Sequence, residues 1–265
     1  MVGAGLATAG AAFQSLFSNP LATPDTLGVT AGASVGAVIA MLLSLPILGV
    51  QLVSLLFGIV AVGLTMLIAR QRGRSSIVML VLAGVVVAAL ANAGPSVLKL
   101  VADPNDKLPQ ITYWLMGSLA GADMGNIAIG APLVLVGVGI IFVLRWRLNV
   151  LALGDDEAKA SGTNVRAMRI TIIIAATLVT ASSVSMCGQV GWIGLLVPHC
   201  ARMLCGSNNR LVVPTSILLG ASFLVVIDAL SRSVSASEIP ISVLTAFVGA
   251  PVFIVLLRRT GGTAV

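Results

Sequence analysis

An all-α, polytopic membrane protein is the fold class this sequence predicts, and three observations carry the expectation. Apolar residues make up 58 % of the 265 residues, with a mean hydropathy of +1.09. Charged residues amount to only 9 %, where a soluble domain carries roughly a quarter. Uninterrupted apolar runs also recur along the chain, at lengths that match a hydrocarbon layer about 30 Å thick. Together these exclude a soluble enzyme, a disordered chain and a soluble nucleic-acid binder, whose surfaces have to be wetted. Unpaired backbone is so costly in lipid that only helices and closed barrels span it, and runs of this length are helical.

Two runs rich in Gly, Ala and Ser come first, Gly3–Ser18 and Leu27–Leu45. The first stops at Asn19-Pro20, where proline ends a helix. The second carries Gly28, Gly32 and Gly36 at every fourth position, a spacing that lets helix backbones approach closely in lipid. Plain helix packing explains that row, with a channel-lining role as the alternative. The clearest spans are Ile47–Ala69, Ile77–Gly94, Ile127–Leu144, Ile170–Met186, Leu211–Ile227 and Ile239–Leu257. Trp192–Met203 reads as a half-length segment bounded by Pro198 and a polar loop. Eight spans and one partial one form a single membrane domain over residues 1–265, with short connections.

The formal charge of +6 is mostly orientation charge, because basic residues collect on the cytoplasmic side. With nine crossings and the C-terminus inside, Arg70, Arg72, Arg74, Arg145, Arg147, Lys159, Arg166, Arg169, Arg202, Arg210, Arg258 and Arg259 all fall inside. Only Lys99, Lys107 and Arg232 fall on the other side. No nucleic-acid partner is expected. The same count puts Met1 outside, with neither a charge nor a secretory n-region near it. Either the count is off by one crossing or a leading helix is absent.

Chemistry-bearing residues are few. Cys187, Cys200 and Cys205 lack the paired spacing of a disulfide framework. His199 beside Cys200 lacks zinc-site spacing, so no metal and no cofactor are expected, and His199 reads as a hydrogen-bonded histidine at a helix end. Asp228 and Arg232, four apart, are expected to form an intramembrane ion pair. The longest polar stretch, Leu151 to Arg166, contains a turn at Gly154 and three acids, Asp155, Asp156 and Glu157, that open a short helix ending near Gly162. That helix is either a solvated connector or a docking element for another protein. A phosphate-cradling loop needs Gly-Lys-Ser/Thr, and Lys99, Lys107 and Lys159 follow Leu98, Asp106 and Ala158. The chain is therefore not an ATPase, and any ATP-driven work must belong to a separate chain.

Several stretches together resemble the FecCD-type permeases, membrane subunits of ATP-binding-cassette (ABC) importers for iron-siderophores, haem and cobalamin. Ser18-Asn-Pro-Leu-Ala-Thr-Pro-Asp-Thr-Leu-Gly-Val-Thr-Ala-Gly-Ala33 resembles the family's NPLA-P--LGV--GA motif. Trp114-Leu-Met-Gly-Ser-Leu-Ala-Gly121 is similar to its W-MGS--G segment, and Gly191-Trp-Ile-Gly-Leu-Leu-Val-Pro-His-Cys-Ala-Arg202 to GFIGLVVPH--R. Leu151–Gly162 resembles the family's cytoplasmic coupling helices. Asp228–Arg232 and Glu238–Pro251 resemble its C-terminal signature. The six stretches follow family order and cover nearly the whole chain.

The resemblance implies helices 2–10 of a ten-helix permease fold with both termini cytoplasmic, in a prokaryotic plasma (inner) membrane. It implies a dimeric pore, shared with a second copy or a paralogue, for an iron-siderophore or related chelate, serving iron homeostasis. An extracytoplasmic binding protein delivers the substrate and two cytoplasmic ABC ATPase subunits drive transport. Leu153, Gly154, Asp155, Asp156, Glu157, Ala158 and Gly162 become the ATPase-coupling element within about 150–165. Asn19 and Leu21, with Ser75 and Ser76, become candidates for the cytoplasmic gate, the alternative for Asn19-Pro20 being a structural turn. Outward-facing Lys99 and Lys107 are candidates for meeting acidic residues of the binding protein, because opposite charge steers docking; solvated loop charges are the alternative. The competing class, an ion-coupled secondary transporter or channel, calls for more buried carboxylates than Asp228.

Overall fold

The computed structural model describes residues 1–70, 77–121, 124–153, 155–160, 162–234 and 238–259. Among these residues there are eleven α-helices: α1 (Val2–Leu16), α2 (Val29–Leu42), α3 (Ile47–Ala69), α4 (Ile77–Leu100), α5 (Lys107–Leu115), α6 (Met124–Leu151), α7 (Asp155–Ala160), α8 (Val165–Cys187), α9 (Ile193–Cys205), α10 (Asn209–Val234) and α11 (Ile241–Arg259). A 3₁₀ turn, Pro24–Leu27, leads into α2 through Gly28, which takes the left-handed conformation. Nine of the helices form the bundle, while α5 and α7 are short pieces at opposite ends of it.

Two helices make the centre. Every residue of α1 except Ala4 is buried, and α8 buries most of its length from Val165 to Cys187. Helices α3, α6, α9 and α10 pack round them. The outer helices keep apolar faces outward: on α4 only Leu80, Ala83, Gly84, Val87 and Pro95 are buried, while Val78, Leu82, Val85, Val86 and Leu90 are exposed. A helix in lipid needs no polar outer face, so exposed Leu and Val are stable there. The glycine row of α2 performs close packing: a Cβ on Gly32 would meet Ala61 and the Phe57 carbonyl, and one on Gly36 the Val53 carbonyl, all on α3.

Three expectations from the sequence are corrected. Gly3–Ser18 and Leu27–Leu45 form helices of 15 and 14 residues. At about 1.5 Å per residue α1 is roughly 22 Å long, and it runs from the outer end, where Met1, Val2 and Gly3 lie beside Leu119 and Asp228, to the inner end at Ser15. Protein covers it on all sides, and irregular backbone at membrane depth is tolerated where protein buries it. Among the described residues, five helices are long and apolar enough to cross by themselves: α3, α4, α6 from Ile127, α8 and α10. Pro198 does not bound the half-length segment but lies inside α9. His199 is likewise mid-helix, where its Nε2 has no hydrogen-bond partner and its ring meets Phe253 edge-on at 6.0 Å. Finally, Lys107 is not in a loop but is the first residue of α5, a helix absent from the sequence reading.

Hydrogen bonds identify the two ends of the bundle. At one end meet the last turn of α1, the last turn of α6, the start of α10, and α7. Arg70, Arg145, Arg147, Lys159, Arg166, Arg169, Arg202 and Arg210 sit at helix ends on this same side, which the basic-residue rule makes cytoplasmic. At the other end the start of α11, the end of α8 and the segment after α5 are joined.

Candidate functional site

At the inner end, α1 stops at Leu16 and the chain turns through Ser18, a non-glycine residue at φ 46. The Asn19 side chain accepts from the Leu21 backbone N–H at 2.9 Å, and the Asn19 N–H donates to the Gln14 carbonyl at 3.0 Å. This is a side-chain turn of the kind asparagine favours. It presents Leu21 with 56 % of its surface exposed, so an apolar residue stands at the tip of the candidate gate. Beneath it, buried Gln14 donates toward the Gly194 and Leu195 carbonyls of α9, at 3.3 and 3.2 Å. Its Oε1 accepts from the Arg202 guanidinium. A neutral amide thus holds a cation at the inner end of α9. Ser75 and Ser76 lie outside the described residues.

The candidate coupling element is a short helix between the ends of α6 and α8. Leu153 is exposed after the end of α6, and α7 runs from Asp155 to Ala160. Ala158 is fully buried, in one apolar cluster with Leu148 and Leu151 of α6 and Val165 and Met168 of α8. Glu157 and Lys159 stay exposed. The exit is a left-handed turn at Gly162 (φ 76), with the Thr163 N–H donating to the Ala158 carbonyl at 3.2 Å. Asn164 then caps α8 by accepting from the Ala167 N–H at 3.0 Å, satisfying one donor that a helix start leaves free. Gly154 lies outside the described residues, and Asp155 and Asp156 are placed by their backbone in the first turn of α7.

At the outer end the Asp228–Arg232 pair forms as expected, at 3.0 Å from Nε to Oδ2. It is neither isolated nor deeply buried. Arg232 also reaches Glu238 at 3.6 Å and donates to the Leu119 carbonyl at 3.3 Å, with the Arg232 and Asp228 side chains 46 % and 28 % exposed. The cluster ties the end of α10 to the segments before α11 and α6. Lys99 is in the last turn of α4, and Lys107 lies 3.8 Å from Asp106. Lys107 borders a cavity of about 410 Å³ between α2, α3, α5 and α8, together with Met41, Gln51, Tyr113 and Trp114.

The structure therefore brings Asn19, Leu21 and the approach to α7 to one end of the bundle, and Asp228, Arg232 and Lys107 to the other. The sequence reading passed over the polar residues beneath the inner end: Gln14, Ser15, Asn149, Asn208 and Asn209. The adjacent pair Asn208-Asn209 at a helix start was the one local signal for them.

Among the described residues, eight bundle helices around buried α1, with a short helix at the inner end and no nucleotide-binding motif in the sequence, define a membrane permease. The chain belongs to the FecCD transport family, whose model matches residues 1–259. It is a multi-pass permease of the ABC importer class, in which ATP hydrolysis belongs to other chains. It is similar to the molybdate import permease MolB of Haemophilus influenzae, 38 % identical over 97 % of this chain and 77 % of that one. It is also similar to the hemin transport permease HmuU of Yersinia pestis, 35 % identical over 98 % of this chain and 79 % of that one. Among solved structures, an inward-facing conformation of a metal-chelate type ABC transporter superimposes with a TM-score of 0.92 at 38 % identity, covering 97 % of this chain and 84 % of that one.

Proposed function

We propose that this chain forms half of a transmembrane path for a metal chelate, an iron-siderophore in the first instance. A second permease subunit, either another copy or a paralogue, supplies the other half. Two cytoplasmic ABC ATPases grip α7, and an extracytoplasmic binding protein delivers the chelate to the outer end. The observation that carries the reading is the seat of Ala158, which locks α7 into the apolar cluster shared by α6 and α8. A short helix anchored in this way transmits a push as a tilt of α6 and α8 rather than losing it in a loop.

Asn19 and Leu21 act at the inner mouth in this scheme, and Ser75 and Ser76 are further candidates for the same gate. Lys99 and Lys107 meet acidic groups of the binding protein. The metal-bearing substrates named for MolB and HmuU support a chelate path. The test is reconstitution with ATPase and binding protein in proteoliposomes, measuring uptake of radiolabelled ferric siderophore, haem, cobalamin and molybdate. ATP-dependent uptake of the siderophore is expected. Uptake that follows a proton or sodium gradient and ignores ATP overturns the proposal.

A further inference from the structure

Three elements far apart in sequence are clamped together by neutral side chains under the inner gate. Asn149 lies in the last turn of α6, six residues before α7 begins. Its Oδ1 accepts twice from Asn209, the first residue of α10: from the backbone N–H at 2.8 Å and from Nδ2 at 3.0 Å. Its Nδ2 donates to the Asn208 side chain at 2.9 Å. Asn209 is buried, and its Oδ1 accepts from the buried Ser15 hydroxyl at 2.8 Å, in the last turn of α1. A second tie runs in parallel: the Ser18 hydroxyl donates to the Ala152 carbonyl, between α6 and α7, at 3.3 Å.

The chain of contacts is therefore α7–α6–Asn149–Asn209–Ser15–α1, ending four residues before Asn19. We infer that Asn149 and Asn209 are positioning residues that carry movement of the coupling helix α7 to the gate turn at Asn19–Leu21. The inference rests on the importer reading above. Each end of the clamp has a reason to be specific. The Asn209 N–H opens a helix and has no intrahelical partner, so it needs the acceptor that Asn149 supplies. Buried Asn209 uses both ends of its amide, one toward α6 and one toward α1. Moving α6 without moving α1 breaks the chain through buried Asn209 and Ser15, and leaving those two groups without partners is costly. Neutral amides and a hydroxyl, unlike an ion pair, re-form after displacement without a large desolvation penalty, which suits a joint that cycles.

The experiment uses the full complex in nanodiscs, in a background with the three cysteines replaced by alanine and a reporter Leu21→Cys. A water-soluble maleimide measures the reporter's labelling rate without nucleotide and after trapping with ATP and vanadate, and ATP hydrolysis is followed in parallel. The reporter chain with an intact clamp should show a nucleotide-dependent labelling rate. Asn149→Ala removes three hydrogen bonds and should reduce that dependence by at least about five-fold, the scale of a single one of them, while ATP hydrolysis continues. Ser15→Ala cuts only the α1 side and leaves the Asn149 cap on α10 intact, so it keeps the test alive if Asn149→Ala does not accumulate. It should weaken the dependence in the same direction, and the double variant should be no worse than Asn149→Ala alone. Full nucleotide dependence in Ser15→Ala or Asn149→Ala overturns the clamp, since a cap that merely holds α10 would lower thermal stability and leave the gate response untouched. If the unsubstituted complex, with Leu21 and its cysteines in place, shows no ATP-dependent uptake of any chelate, the importer reading itself falls, and the clamp with it.

Discussion

The two ends of the bundle are held by different kinds of bond. At the outer end main-chain bonds join the segments alongside the Arg232 cluster: Ser118 N–H to the Cys187 carbonyl at 2.9 Å, Ile241 N–H to the Gly117 carbonyl at 2.9 Å, and Ser242 N–H to the Met116 carbonyl at 3.2 Å. Gly117 and Gly188 both take positive φ there and pack against each other's backbone. At the inner end the joins between helices are made by side chains, through Asn149, Asn208, Asn209, Ser15 and Ser18. Backbone knots cannot be exchanged without refolding the loops that make them, whereas each side-chain hydrogen bond is worth only about 0.5–1.5 kcal/mol net. The difference teaches that the inner end is the one built to rearrange, and it is the end that carries α7 and the gate turn.

Four substitutions break or sharpen this contrast, in falling order of expected effect. Gly117→Val attacks the outer knot: at φ +73 a Cβ would stand 2.2 Å from the Gln189 carbonyl. A loss of at least about 3 kcal/mol is expected, read as failure to elute as a single detergent-solubilised species. Ala158→Asp drives a carboxylate into the seat of α7. It should cost about 2–3 kcal/mol and abolish ATP-dependent uptake, with the melting temperature and pull-down of the ATPase as the checks. Recovery of full uptake in that variant would mean that the α7 seat carries no force.

Asn19→Ala removes the Leu21 turn bond, worth about 1 kcal/mol. A change in uptake of a few-fold at nearly unchanged melting temperature marks a gate residue, and a fall in melting temperature with unchanged uptake marks a structural turn. Arg232→Ala is the mildest of the four in stability. A pair exposed to this degree contributes roughly 0–1 kcal/mol and less in salt, so its melting shift should be small and vanish in 0.5 M salt (about three times physiological strength). A large, salt-independent shift would show that the outer end depends on charge rather than on its backbone knots.

Much of this was readable in the residues themselves. The i,i+4 spacing of Asp228 and Arg232 gave their pairing, because two residues four apart share a helix face. The short helix α7 and its exit turn were readable from the acidic trio and Gly162, since turn and helix-start signals are local. Helix α5 was missed because Asp103, Asp106 and Lys107 read as a polar loop, while its helical state leans on Ile111 and Trp114 packing against α2 and α3. The clamp was invisible for the same reason in stronger form. Asn149 and Asn209 are 60 residues apart, and Ser15 and Asn209 are 194 apart, so no window contains both partners.

The sequence by itself determined that the chain lives in a membrane and that it carries no ATPase loop. Those properties follow from composition, run length and the residues before each lysine, each read along the chain without reference to neighbours. Only the tertiary structure decided that α1 is a short, enclosed central helix rather than a lipid-facing span, and that the two ends are joined by different bonds. A Gly/Ala-rich apolar run has the same hydropathy whether lipid or protein surrounds it. What surrounds it is set by contacts between segments far apart in sequence.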